Sequence, residues 1–107
     1  MNVLFVCSRN KWRSRTAETI YKNHSIHNVR SAGTEPSARI KINSKLILWA
    51  DLILVMEKKH KQRIREKFSK DSLDKEIIIL NIPDDYQYMD DELINKLNCK
   101  VLEYLNY

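Results

Sequence analysis

Glycine occurs once in this 107-residue chain, at position 33, and proline and cysteine occur twice each. One glycine leaves no room for G-x-x-x-x-G-K or G-x-G-x-x-G, so neither of those nucleotide-cradling loops is available. The two cysteines, Cys7 and Cys99, and three unclustered histidines, His24, His27 and His60, offer no zinc-ligand spacing. No metal or other cofactor is expected. No apolar run approaches the roughly 20 residues that span a bilayer. The first residues also lack the basic segment, apolar core and small-residue cleavage site of a secretory signal. A cytoplasmic protein without a membrane partner is the expectation. In that reducing setting a Cys7–Cys99 disulfide is not expected, and Cys99 reads as a buried, inert thiol within a helical pattern.

What is present suits one small folded domain spanning residues 1–107. The apolar content, 43%, is enough for a core and argues against disorder. A net charge of +5 favours acidic or phosphorylated partners. The densest basic run, residues 58–67, reads as the solvated face of a helix. No aromatic stacking residues interleave with it, so nucleic acid is an unlikely partner.

The chain is organised around its start. Residues 3–6, Val-Leu-Phe-Val, suit a strand buried on both faces and end at Cys7. From Ser14 the pattern changes, with Ala17, Ile20, Tyr21 and His24 at helical spacing. Cys7 therefore sits at a strand's carboxyl end, and the loop of Ser8, Arg9, Asn10, Lys11 and Trp12 feeds a helix amino terminus, where ligands bind in open α/β sheets. Free N–H groups and the helix dipole there favour an anion. Arg13 adds a planar fork matched to phosphate oxygens. The same field favours the thiolate of Cys7, the form that attacks. Ser14 can cap the helix and donate to that sulfur. Asn10 supplies, in a loop without glycine, a residue that tolerates positive φ. The stretch reads as a nucleophilic phosphate site.

Strands at 28–32, 51–56 and 76–80 alternate with helices from about 43 or 44, over 59–68, and over 90–104, with 69–75 a charged loop. Gly33 marks the turn ending the second strand, Pro36 blocks an early helix, and Trp49 reads as core. The last helix places Leu93, Ile94, Leu97, Val101, Leu102 and Leu105 on its apolar side. This alternation predicts an α/β, doubly wound three-layer domain: a four-stranded parallel sheet, right-handed crossovers, helices on both faces, and the phosphate loop between strand 1 and helix 1.

Cys7, five intervening residues, Arg13 and Ser14 form a C-x5-R-S signature. With Asn10 third in the loop, Ala17-Glu18 downstream, Ser31 to Thr34, Asp51 to Glu57, and Pro83 to Tyr86, all in order, the chain resembles the low-molecular-weight protein tyrosine phosphatases. It looks like a shortened member, lacking much of what usually separates the Ser-Ala-Gly-Thr block from the next strand. The resemblance implies a metal-independent phosphoric monoester hydrolase that uses Cys7 as nucleophile, the loop from Ser8 to Ser14 as phosphate cradle, and Arg13 as charge clamp. It implies that Ser31 braces the loop through Asn10, that Tyr86, joined by Tyr88, walls an aryl pocket, and that a late Asp supplies the acid. Asp84 aligns with that Asp, but Asp85 stands where the family has proline, and the choice between them stays open. Arg9 replaces a common glycine, and Trp12 stands where better-known members carry a second, protective cysteine.

The expected substrate is phosphotyrosine in proteins or another aryl phosphate, with inorganic phosphate and other oxyanions as product or inhibitors. Two further readings share the loop: an arsenate reductase, for which Cys99 is a poor redox partner if it faces the core, and a phosphate-sensing or phosphocysteine carrier module that does not turn over. A basic binding protein with a vestigial site is a fourth.

Overall fold

The computed structural model describes residues 1–23 and 26–105; His24, counted above in the first helical stripe, lies outside the described residues. In chain order the elements are β1 (Asn2–Cys7), α1 (Arg13–Lys22), β2 (Asn28–Gly33), α2 (Ser44–Trp49), β3 (Leu52–Val55), α3 (Lys58–Lys67), α4 (Ser69–Ser72), β4 (Glu76–Ile79) and α5 (Asp91–Leu105). The strands form one sheet in the order β2-β1-β3-β4, and every pairing is parallel. This is the doubly wound arrangement expected from the alternation. β1 and β3 are neighbours although they are not consecutive, so a crevice opens beyond their carboxyl ends, next to Cys7.

Because β1 is central, residues 3–6 are completely buried. Their side chains alternate between two apolar layers. Val3, Phe5 and Cys7 pack with Ala17 and Tyr21 of α1 and with Leu93, Leu97, Val101 and Leu105 of α5. Leu4 and Val6 face the other way, toward Ile47 of α2 and Ile64 of α3. Each such side chain contributes roughly 1.5–3 kcal/mol by leaving water.

The structure corrects several local expectations. α1 begins at Arg13, so Ser14 lies inside the helix, and Trp12 at the cap position makes no side-chain capping bond. Asn43 does cap α2, its side chain accepting the Leu46 N–H. α3 starts at Lys58, and part of the expected loop at 69–75 is the single turn α4. Asp90 caps α5 by accepting the N–H groups of Glu92 at 2.9 Å and Leu93 at 3.3 Å. Cys99 is exposed rather than buried. Residues 93, 97, 101 and 105 hold the sheet-facing stripe, and a position two residues from 97 and from 101 falls on the opposite side of a 3.6-residue helix. Leu102, expected on the apolar side, is 39% exposed. Trp49 is half-buried beside the outer core, with the Arg30 guanidinium 4.5 Å over its ring. Gly33 is the last residue of β2 rather than a turn, and its φ is not positive. A Cβ there would lie 2.6 Å from both the Ala38 Cβ and the Ser8 carbonyl oxygen, and 2.9 Å from the Arg9 carbonyl carbon. Glycine is required because residues 8 and 9 pass directly over it.

Candidate active site

The loop between β1 and α1 closes around the Cys7 sulfur. Its Sγ lies 2.9 Å from the Ser14 Oγ and accepts the Asn10 N–H at 3.3 Å. Asn10 holds φ at 55°, the left-handed conformation that turns its amide inward. Its side chain is completely buried and donates from Nδ2 to Ser14 Oγ and to Ser31 Oγ, each at 2.8 Å. Ser31 in turn donates to Glu18 Oε1 at 2.5 Å. Asn10 thus joins loop, helix and β2, and Ser31 lies where the brace was expected.

Arg13 is 1% exposed, so its charge must be met by protein groups. Nη1 donates to Glu57 Oε2 at 2.6 Å and to the Ile82 carbonyl at 2.8 Å. Those bonds use both Nη1 protons, which leaves the Nε–Nη2 edge for a bidentate anion. Asp84 Oδ1 lies 3.6 Å from Nε. Cys7, Ser8, Arg9, Lys11, Trp12, Arg13 and Asp84 line one cleft. Of the paired carboxylates, then, Asp84 lines the cleft and Asp85 does not.

The aromatic residues fall elsewhere. Tyr86 is buried among the α5-side core residues. Tyr88 is 39% exposed, bonds Thr19 Oγ1 through its hydroxyl at 2.9 Å, and carries the Arg15 guanidinium 4.4 Å over its ring. The aromatic side chain at the cleft is Trp12.

Two supporting residues escaped the sequence reading, Glu57 and His60, both delivered by the start of α3. Burial would raise the Glu57 carboxyl, but the hydrogen bond and charge of Arg13, reinforced by Lys59, outweigh it and hold the group below the usual glutamate range. It therefore stays ionised opposite Arg13. His60 is completely buried, although it sits in a run that otherwise looks solvated. Its Nδ1 accepts the Glu57 N–H at 3.0 Å, which places the neutral ring's proton on Nε2, 2.9 Å from Ser8 Oγ. Burial, and then the nearby positive charge of Arg13, lower its pKa from 6.5 to about 4. Nothing in the Lys/Arg run of the sequence marks this histidine as buried.

A sulfur at a strand end, the Asn10 amide and a hydroxyl turned toward it, and an arginine beside the same cleft define a phosphate-loop α/β fold, and that fold is the one shared by the low-molecular-weight protein tyrosine phosphatases. SP-PTP, the low-molecular-weight protein tyrosine phosphatase of Streptococcus pyogenes, superposes with a TM-score of 0.80 at 19% identity, over 98% of this chain and 91% of its own. The tyrosine phosphatase Wzb of Escherichia coli K30, in complex with phosphate, gives 0.76 at 21% identity over 98% and 96%. YwlE arginine phosphatase, as a cysteine-to-serine mutant with a phosphorylated active-site serine, gives 0.74 at 23% identity over 99% and 96%. No protein-family model matches the chain, and no curated protein matches it.

Proposed function

We propose that the chain is a cysteine-dependent phosphatase that hydrolyses phosphorylated protein side chains, phosphotyrosine or another aryl phosphate first among them. The observation that carries this reading is the placement of Cys7 Sγ against Ser14 Oγ and the Asn10 amide, beside a buried arginine whose Nε lies 3.6 Å from Asp84 Oδ1 in the same cleft. In the first step the thiolate attacks phosphorus and an S–P bond forms. The P–O bond to the substrate breaks, and Asp84, entering as the carboxylic acid, gives its proton to the leaving oxygen. In the second step water attacks the phosphocysteine. The Asp84 carboxylate takes a proton from that water, inorganic phosphate leaves, and the thiolate returns. Arg13 and the loop amides hold the equatorial oxygens throughout.

One observation supports phosphoarginine as a second substrate. Tyr86 is withdrawn into the core, and the cleft carries Trp12 and a carboxylate, Asp84, beside Arg9 and Lys11; the Asp84 carboxylate suits a cationic guanidino group. The YwlE neighbours are arginine phosphatases by name.

The test is rapid-mixing turnover of an aryl phosphate and of a phosphotyrosyl peptide in the presence of a chelator. A burst of phenol equal to the enzyme concentration is expected. Cys7→Ser abolishes turnover, Asp84→Ala slows the peptide reaction by about 100-fold, and Asp85→Ala stays near wild type. Full activity in Cys7→Ser overturns the reading. Comparison with a phosphoarginyl peptide ranks the two substrates.

A further inference from the structure

Beside the catalytic cleft lies a second, open cavity of about 450 Å³, lined by Arg9, Lys11, Arg15, Ser37 and Arg39. Arg9 and Lys11 line both cavities, so the two are contiguous across the rim of the phosphate loop. Four cations meet here and no carboxylate belongs to the lining. Two carboxylates lie nearby: Glu35 pairs with Arg63 at 3.1 Å, and Glu18, which accepts the Ser31 hydroxyl, also pairs with Arg39 Nη2 at 3.9 Å.

Three of these cations are also held. Arg15 lies over the Tyr88 ring and Lys11 sits 5.0 Å over Trp12. Arg39 donates from Nε to the Asn10 carbonyl at 3.1 Å. The far wall is tied to the catalytic loop by its backbone, with the Glu35 N–H on the Ser8 carbonyl at 2.8 Å and the Arg39 N–H on the Arg9 carbonyl at 2.9 Å. Four like charges around one cavity repel one another, and an anion relieves that repulsion. The contacts of Lys11, Arg15 and Arg39 order those side chains before any ligand arrives, which lowers the entropy cost of binding.

We propose that this basic cavity is a specificity subsite that receives an acidic side chain, Asp or Glu, flanking the phosphorylated residue of a polypeptide substrate. The proposal rests on the phosphatase reading for the placement of the phosphoryl group, and it adds the substrate class: acidic phosphopeptides rather than free aryl phosphates.

The experiment measures binding of two phosphotyrosyl peptides to catalytically silenced Cys7→Ser protein, one with glutamates flanking the phosphotyrosine and one with glutamines there. The same two peptides are then followed for turnover by the active protein. The glutamate peptide is expected to bind about three- to tenfold tighter, the worth of one or two exposed ion pairs, and the gap is expected to close at high salt. In turnover the difference is expected in KM rather than kcat. Arg15→Gln, combined with Arg39→Gln, removes the preference. Because Arg39 also braces the Asn10 carbonyl, Arg15→Gln alone serves as the second variant, and it is expected to halve the preference or more while para-nitrophenyl phosphate turnover is unchanged. Equal binding of the two peptides, or a preference that survives both variants, overturns the subsite. If no phosphate ester is turned over by active protein, the phosphatase reading fails, and the binding comparison still decides the subsite.

Discussion

Asn10 carries two separate demands, a left-handed backbone and two side-chain hydrogen bonds. Substitutions can separate them. Asn10→Gly keeps the conformation and loses the bonds, whereas Asn10→Ala loses both, adding roughly 1–2 kcal/mol of backbone cost. Urea unfolding should rank wild type above glycine and glycine above alanine, and both variants should lose turnover because Ser14 is no longer oriented toward the sulfur. Equal stability of the two variants contradicts the backbone argument. Gly33 makes a sharper case. Its missing Cβ is what allows Ser8 and Arg9 to pass over the end of β2, so Gly33→Ala must push the phosphate loop outward. A stability loss of about 1–3 kcal/mol is expected, with a larger proportional loss in turnover. A Gly33→Ala protein with wild-type kinetics contradicts the claim that the loop rests on this residue.

At the scale of elements, the start of α3 does more than begin a helix. It supplies Glu57 to hold Arg13 and His60 to meet Ser8, and both contacts lie at the β1–α1 loop and the start of α1. The groups facing His60 are Arg13, Glu57, Lys59 and Arg63. Its pKa falls on folding, so the unfolded chain takes up the proton first as pH drops. The stabilising contribution is therefore complete above about 6.5 and is lost progressively as pH falls toward about 4. Melting temperatures measured across that window should fall more steeply for wild type than for His60→Asn. Parallel profiles contradict the assignment. None of this was legible in residues 58–67, because a basic run carries the same pattern whether or not one member turns inward. The buried face of α3 needs only His60 and Ile64, too few positions for a periodic signal. Cys99 shows the converse: a lone cysteine suggests burial by its type, whereas the flanking stripe at 97 and 101 determines its outward face.

For the whole molecule, the parallel sheet and its crossovers were legible because β1 is buried on both faces and every later strand is separated from it by a helix. Strand order was not legible from composition or periodicity, since pairing is decided by tertiary packing. The order β2-β1-β3-β4 sets the carboxyl ends of β1 and β3 side by side, so residues 50 apart in sequence, Cys7 and Glu57, serve one site. The late segment after β4 brings Asp84 to the same edge but folds Tyr86 inward. Local sequence could not separate those fates, because the burial of Tyr86 depends on the core formed with α5. The central claim is that Cys7 accepts a phosphoryl group, and acid-quenched mass spectrometry of the protein during turnover of a phosphotyrosyl peptide tests it most directly. The account predicts one phosphoryl adduct per chain, mapped to the peptide carrying Cys7 and enriched in Asp84→Ala, where hydrolysis of the intermediate is slowed. Steady turnover with no adduct on residue 7 in either protein would contradict it.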